Sequence, residues 1–196
     1  MSFKIIKEFE NQISQFYGSP YAVAVDSCTH AIELCLRYQK IKKIVIPKRT
    51  YLSIAFLANK IGIDLELKDE NWVDNYYIGG TNIIDAAVLW RRDSYIFETL
   101  MCLSFQYQKH LSLGRGGMIL TDNIKTRDDL KRMSYDGRIS DIPWRDQNIK
   151  SIGYHYYMTP ETAQLGLDKL PDAIKTKPRK WSIEDWPNLQ KMDVFK

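Results

Sequence analysis

The chain has 196 residues, of which 44% are hydrophobic and 27% charged, and its formal net charge is +4. This composition is typical of a soluble globular protein, and it excludes a mainly disordered chain, a collagen-like repeat and a coiled coil. The length suffices for one well-packed core. The small surplus of positive charge does not by itself indicate a nucleic-acid-binding protein.

The cysteines and histidines form no recognisable disulfide or metal-binding pattern. Cys28, Cys35 and Cys102 are odd in number and widely spaced, and the three histidines do not have metal-ligand spacing. No apolar run approaches the roughly 18 residues that span a bilayer. The N-terminus, with charges among its apolar residues, does not resemble a signal peptide. We therefore expect a reduced, cytoplasmic protein with no metal site and no membrane association.

Segments of helical and strand periodicity alternate along the chain. The pattern predicts helices at 3–17, 30–37, 50–61 and 125–133, and strands at 21–25, 43–47, 63–67, 82–85, 101–105 and 118–121. Such alternation predicts an α/β fold of three layers, with a mostly parallel sheet and helices on both faces. Ligands of such sheets bind beyond the carboxyl ends of the strands. This rule directs attention to residues 26–30, 48–51, 85–88 and 104–109.

The turn at 26–30 joins a strand to a helix. Unpaired backbone N–H groups and the helix dipole make such a turn an anion site, and Thr29 adds a hydroxyl group. A plain N-cap without a ligand is the alternative, and from this segment alone it is favoured about two to one. The segment contains no glycine-rich nucleotide-binding fingerprint.

Four side chains near the other strand ends also have a possible chemical role. Asp85 ends an apolar strand, where a carboxylate either caps a helix or binds a protonated heterocyclic nitrogen. Lys109 follows a buried strand and is either a solvated charge or a Schiff-base nucleophile with a lowered pKa. Ser104 precedes it in the same loop region. Tyr51 is either a core residue or a flat surface for a planar ring.

Together these residues suit one cofactor. An anion-binding turn, a stacking aromatic, a carboxylate for a ring nitrogen and a lysine match the phosphate, ring and aldehyde of pyridoxal 5'-phosphate.

Several motifs follow one another over roughly residues 8–170. They are FE at 9–10, YAVAVDSCTHAIEL at 21–34, IP followed by TY at 46–51, IDAA at 84–87, SF and K at 104–109, GRGG at 114–117, GYHYY at 153–157 and AQLG at 163–166. In order and spacing they resemble motifs of the DegT/DnrJ/EryC1/StrS family of sugar aminotransferases, a fold-type I pyridoxal-phosphate group. The family's counterparts include SGT, EDAA, SF-x-x-x-K, GEGG and GYNYR.

The resemblance implies a role for each candidate. Lys109 would form the internal aldimine and shuttle a proton, Asp85 would pair with the pyridinium nitrogen, and Tyr51 would stack on the ring. The residues expected to hold the phosphate are Cys28, Thr29, His30 and Ser104. His155 would reach the phosphate of a neighbouring subunit, which implies a homodimer with shared active sites.

The sequence also departs from the family's motifs. Cys28 replaces a glycine, Arg115 replaces the glutamate of GEGG, and Val88 stands where a His or Gln is usual. His155 and Tyr157 replace the Asn and Arg of GYNYR. Cofactor binding is therefore better supported than the choice of substrate.

Residues 1–174 are predicted to form the pyridoxal-phosphate-binding large domain, with 175–196 as a C-terminal tail or docking arm. The family's carboxyl-terminal small domain is not expected within this length. The resemblance implies an aminotransferase that transfers an amino group from glutamate to a keto-sugar nucleotide for polysaccharide biosynthesis. Two alternatives are a non-catalytic cofactor-binding or dimer-partner protein and a sugar dehydratase. Nucleic-acid binding through the basic residues 175–180 is disfavoured, because such runs are usually solvated.

Overall fold

The structure is a computed structural model that describes residues 3–195. Five α-helices and seven strands lie in this range. The helices are α1 (Lys4–Tyr17), α2 (Cys28–Tyr38), α3 (Leu52–Ile61), α4 (Ile124–Ser134) and α5 (Pro160–Lys175). The strands are β1 (Tyr21–Val25), β2 (Lys43–Pro47), β3 (Asp64–Lys68), β4 (Tyr76–Tyr77), β5 (Ile83–Asp85), β6 (Leu100–Ser104) and β7 (Gly117–Thr121).

The strands form a five-stranded sheet in the order β1-β7-β6-β5-β4 and a two-stranded parallel sheet of β2 and β3. β7 is antiparallel to both β1 and β6, and β5 is parallel to β6, so β1, β5 and β6 share one direction. Gly79, just beyond β4, bridges Val45 of β2 in antiparallel fashion, so β2 and β3 also run in that direction.

The predicted α/β class is confirmed, and five of the seven strands run the same way. The expectation of a mostly parallel sheet needs one correction, because three of the four ladders in the larger sheet are antiparallel. Two of these three ladders involve β7, which lies between β1 and β6, and the third joins β4 to β5. β7 returns directly from β6 without a crossover helix, and antiparallel neighbours permit such a direct return.

The sheet has a hydrophobic core on each face. Alternate residues of β1 enter opposite cores, with Ala22 and Ala24 on one face and Val23 and Val25 on the other. Helices α1 and α5 cover the first face, and α2, α3 and α4 cover the second. The predicted three layers are therefore present, and a sheet covered on both faces exposes ligand sites only at its edges and strand ends.

Local signals explain where the helices begin and end. α1 ends at Gly18, whose φ of 75° is in the left-handed region that favours glycine. α2 begins earlier than expected because the Ser27 side chain accepts a hydrogen bond from the His30 N–H at 3.2 Å. α5 was not predicted as a helix, although Thr159 caps it and Pro160 occupies its first turn. Among residues 3–195, no helix is long and apolar enough to cross a membrane.

Candidate active site

A small cavity of about 70 Å³ lies beyond the carboxyl ends of several strands. Five of the eight candidate residues from the sequence line it: Cys28, Thr29, Tyr51, Asp85 and Lys109. They come from four separate segments, which follow β1, β2, β5 and β6. The sheet brings these segments together because parallel strands end at the same edge.

Asp85 is held rigidly at the end of β5. Its side chain is buried, Oδ2 accepts a 2.8 Å hydrogen bond from the Tyr76 hydroxyl, and Oδ1 accepts one of 3.0 Å from the Ala87 N–H. The Tyr76 hydroxyl is also 2.8 Å from Thr50 Oγ1. Burial raises the pKa of Asp85, and the two hydrogen bonds and the Lys109 charge offset part of that rise. A carboxylate so placed is suited to pair with a protonated ring nitrogen.

Lys109 lies in the loop after β6 and points into a poorly solvated environment. Its Nζ lies 4.7 Å from the centre of the Trp181 ring and 5.5 Å from that of Trp186. Burial lowers the pKa of Lys109, the nearby Cys28 and Asp85 oppose this, and Arg179 adds to it. A lowered pKa increases the fraction of neutral amine, which is the nucleophilic form.

The first turn of α2 forms another wall of the cavity. Among the described residues, the backbone N–H groups of Cys28 and Thr29 have no hydrogen-bond acceptor, as expected at a helix N-terminus. Thr29 Oγ1 is 2.7 Å from Ser53 Oγ. A Cβ on Gly117 would lie 2.4 Å from the Ser27 carbonyl carbon, so only glycine permits β7 to pack against this turn. β7 therefore packs against one side of the turn, and the unpaired N–H groups are available to bind an anion on the other side.

The other three candidates, His30, Ser104 and His155, do not line the cavity. His30 Nδ1 is 2.6 Å from Asp26 Oδ1, and its ring stacks on Tyr156 at 3.7 Å. The Ser104 hydroxyl accepts a 3.4 Å hydrogen bond from the Gln106 N–H. The His155 side chain is 69% exposed and is paired with Asp136 on the protein surface.

Two tryptophans line the cavity without having been proposed as site residues. Trp72 donates a 2.8 Å hydrogen bond from its indole N–H to the Arg49 carbonyl. Trp186, which is only 8% exposed, comes from the segment after α5. The sequence placed Trp186 only in the predicted C-terminal tail or docking arm at 175–196, because no local pattern predicts where such a segment packs.

The segment after α5, residues 176–195, is termed the arm. It consists of irregular chain and short 3-10 turns, and it packs against the loop between β2 and α3. The Leu189 N–H donates to the Lys48 carbonyl at 2.8 Å, and Arg49 Nη1 donates to the Trp186 carbonyl at 3.0 Å. Leu189 is completely buried. The arm therefore docks on the domain and contributes to the wall beside Lys109.

A larger cavity of about 440 Å³ lies between α1, α4 and the loop after α4. None of the eight candidate residues lines it. Some of its charges are already paired, for example Lys131 Nζ with Glu10 Oε2 at 2.5 Å. We therefore place the candidate chemistry in the smaller cavity, where an amine and a buried carboxylate meet. Among residues 3–195, no cluster of three or more potential metal ligands was found.

Comparisons with known proteins identify a matching family. The sequence profile of the DegT/DnrJ/EryC1/StrS aminotransferase family matches residues 1–69 and 94–185. The matched ranges include Lys109 but not Asp85, and the structure places both residues in the lining of one cavity.

Two curated relatives match most of the chain. Protein MJ1066 of Methanocaldococcus jannaschii is 22% identical, over 93% of this chain and 62% of its own length. The spore coat polysaccharide biosynthesis protein SpsC of Bacillus subtilis is 25% identical, over 84% of this chain and 56% of its own length. The chain thus spans about three fifths of the length of these relatives.

Solved structures show the same fold. AtS13 from Actinomadura melliaura has a TM-score of 0.74 at 17% identity, covering 89% of this chain and 61% of its own. The sugar aminotransferase CalS13 from Micromonospora echinospora has a TM-score of 0.72 at 13% identity, with coverages of 87% and 61%.

Proposed function

The chain belongs to the DegT/DnrJ/EryC1/StrS aminotransferase family, and from that premise we propose that it is a pyridoxal-phosphate-dependent aminotransferase. Its acceptor would be a keto-sugar nucleotide and its amino donor glutamate. The observation that carries the proposal is one cavity that holds the Lys109 amine, the buried Asp85 carboxylate and the N-terminus of α2.

The donor set fits the cofactor. The aldehyde needs an amine of lowered pKa, the pyridine nitrogen needs a carboxylate, and the phosphate needs unpaired N–H groups. Lys109, Asp85 and the Cys28–Thr29 turn provide these groups. The volume of about 70 Å³ is well below the roughly 300–1,000 Å³ of ligand pockets. Trp186 forms part of the wall, so cofactor binding would require that side chain to move outward.

When bound, pyridoxal phosphate would supply a carbonyl carbon for amine chemistry and a ring that takes up electron density. Lys109 Nζ would accept and return the proton, since burial lowers its pKa and so raises the fraction of neutral amine. Asp85 would hold the ring nitrogen in its protonated form. Tyr51, 53% exposed at the cavity wall, would offer a flat face to the ring.

The phosphate would be bound by the first turn of α2. The N–H groups of Cys28 and Thr29 and the Thr29 hydroxyl are the groups available there. His30 and Ser104 lie outside the cavity. They would support the residues that bind the phosphate and would not contact it themselves. Both would need to rearrange to touch a phosphate directly.

A homodimer is part of the proposal. The loop after α4 exposes several large apolar side chains, with Ile142 at 44%, Trp144 at 58% and Ile152 at 81% exposed. Exposed apolar groups in one segment indicate a protein-binding surface. His155 follows this loop and points outward, a position from which it would reach a second subunit.

The cellular role proposed is nucleotide-sugar modification for polysaccharide synthesis in the cytoplasm. Its support is the relative SpsC, which is described as a polysaccharide biosynthesis protein.

Addition of pyridoxal phosphate tests the proposal. We expect a visible absorbance band and, after borohydride reduction, a stable adduct that peptide mapping places on Lys109. Lys109→Ala should lose both signals, whereas the exposed Lys125→Ala should keep them. Glutamate should then change the spectrum of the parent protein. An adduct spread evenly over surface lysines, or no band, would overturn the proposal.

A second candidate is a cofactor-binding protein without turnover. The observation that favours it is the packing of Trp186 in the cavity wall, where it restricts space for a substrate. A band that glutamate leaves unchanged would support this candidate. The dehydratase alternative, which requires a histidine in place of the lysine, is less favoured. His110 lies outside the cavity, and its Nε2 is 2.8 Å from the Ala173 carbonyl.

A further inference from the structure

We propose that the arm is a displaceable cover of the Lys109 cavity, in which Trp186 occupies space that cofactor and substrate need. Contacts within the chain support the cover. Only the identity of the entering molecule, pyridoxal phosphate, rests on the proposed function.

The arm is anchored close to the cavity. Trp186 and Leu189 are buried, and the backbone of the arm bonds to Lys48 and Arg49. A bridge between Arg49 and Asn188 continues this pairing. Tyr51, which lines the cavity, follows two residues after Arg49, so the anchoring places the arm directly at the cavity wall.

Aromatic stacking closes the cavity. Trp181 and Trp186 stack with their ring centres 5.4 Å apart and their planes 14° from parallel. Trp186 also lies 5.8 Å from Trp72 on the body of the domain. Each tryptophan brings a large flat apolar surface, and stacked pairs add stability beyond the burial of area. The indoles of Trp72 and Trp186 line the cavity and limit its volume to about 70 Å³.

The same indoles contact the amine that the chemistry needs. Lys109 Nζ lies within cation-π distance of both Trp181 and Trp186, at 4.7 and 5.5 Å. This contact points the lysine at the arm and opposes part of the lowering of its pKa that burial causes. The Arg179 guanidinium sits 4.1 Å from the centre of the same Trp181 ring and is held there by Asp185. The arm therefore engages Lys109 as well as covering it.

The arm is held by two buried side chains, Trp186 and Leu189, and by contacts such as the stacking of Phe195 on Phe56 at 5.3 Å, and not by regular secondary structure. It contains no α-helix or strand, only short 3-10 turns, and its exposed side chains include Val194 at 65% and Glu184 at 78%. Segments with few buried apolar contacts open locally at low free-energy cost. When a binding-competent state is only partly populated, the apparent affinity falls by that fraction. The closed arm would thus lower the affinity of the protein for its cofactor.

Chemical labelling of Lys109 tests the cover without any cofactor. A small amine-directed reagent, trinitrobenzenesulfonate, is applied to the parent and to Trp186→Ala, and peptide mass spectrometry follows Lys109. We expect labelling to be about tenfold faster in Trp186→Ala, because the open fraction rises. Phe97→Ala, which removes an aromatic ring that is 66% exposed and does not line the cavity, serves as the matched control and should label like the parent. Equal rates in all three proteins would overturn the inference.

Trp186→Phe is a second test variant that is less prone to misfold than Trp186→Ala, because it keeps an aromatic ring in the cavity wall. Its labelling rate should lie between those of the parent and Trp186→Ala, with unchanged circular dichroism. In a second measurement, hydrogen exchange at the Leu189 N–H should become faster when pyridoxal phosphate is added.

The two proposals fail separately. If Lys109 is labelled faster in Trp186→Ala but no cofactor binds, the cover stands and the proposed function falls. If the cofactor binds but the labelling rates are equal and Leu189 exchange is unchanged, the proposed function stands and the cover falls.

Discussion

The Tyr76 hydroxyl donates a hydrogen bond of 2.8 Å to Oδ2 of Asp85, and both residues are buried. The two residues face each other across the antiparallel ladder of β4 and β5. β4 contains only two residues, yet it supplies the side chain that orients the carboxylate and opposes the rise of its pKa. A short strand outside the family match thus contributes to the geometry of the candidate site.

Replacement of Tyr76 tests this contact. Tyr76→Phe removes the donor, so the pKa of Asp85 should rise further above its ordinary value and its ionised form should become less available. A hydrogen bond to a charged group is worth about 1.5–3 kcal/mol, so we expect pyridoxal phosphate to bind at least about tenfold more weakly. Absorbance titration measures this. Tyr77→Phe, at the neighbouring exposed position, is the control, and equal affinities for the two variants would contradict the assigned role.

The packing of β7 against the first turn of α2 is tested by Gly117→Ala. The added Cβ would meet backbone atoms of Ser27 and Cys28 at 2.4 and 2.5 Å, and backbone cannot rotate away. We expect a loss of about 3 kcal/mol in the free energy of unfolding, and weaker phosphate binding because the turn is displaced. Urea denaturation and a phosphate titration measure the two effects.

Gly114→Ala provides the comparison for that variant. Gly114 has a φ of 79° and open space around its Cα, so alanine there adds only backbone strain. It should cost about 1–2 kcal/mol and leave phosphate binding unchanged. Equal losses of phosphate binding in both variants would argue against a specific role for the Gly117 contact.

Glu10 predicts a pH dependence of stability. It is buried, Oε1 accepts a hydrogen bond of 2.9 Å from the Ala24 N–H, and burial raises its pKa above the usual 4.5 despite Lys131. A carboxyl group with a raised folded-state pKa contributes stability below about pH 4.5 that is lost as the pH rises through the folded value. Glu10→Gln should remove this loss of stability at higher pH.

Melting temperatures between about pH 4 and about pH 8 check this expectation. The melting temperature of Glu10→Gln should increase relative to that of the parent as the pH rises, because the amide cannot ionise. Glu8→Gln, on the exposed side of the same helix, should follow the parent throughout. A gap between Glu10→Gln and the parent that stays constant with pH would show that Glu10 titrates normally.

The proposed dimer predicts a response to charge in the exposed loop. Ile152→Glu combined with Trp144→Glu should shift the sedimentation mass from dimer toward monomer, since buried apolar contacts would be replaced by charges. Ile124→Glu, at an exposed position that begins α4, should leave the mass unchanged. A parent protein that is monomeric at every concentration would refute the dimer.

Local sequence patterns predicted most secondary structure. Strands β1 and β2 have the predicted bounds, 21–25 and 43–47, because their apolar runs end at turn-forming residues. β4 escaped prediction because two residues carry no periodicity. The position of β7 between β1 and β6 depends on pairing between distant segments, so no local pattern indicates it.

The candidate site was predictable where it follows strand ends. Asp85 and Lys109 each end or follow an apolar strand, and a sheet with most strands in one direction brings those ends together. The sequence position of His30 beside the turn does not reveal that its side chain contacts Asp26 and Tyr156 and lies outside the cavity lining. Side-chain direction within a turn depends on its neighbours in space.

Periodicity, strand ends and motif order were thus enough to predict the α/β class, the family and the presence of Asp85 and Lys109 at one edge of the sheet, because each depends on local pattern or on one general rule of sheet geometry. The folded chain alone revealed that Tyr76 orients Asp85 and that Trp181 and Trp186 lie against Lys109. These contacts join residues 9 and more than 70 positions apart. Packing between such segments is decided by the whole core, so it has no signature in any one stretch of sequence.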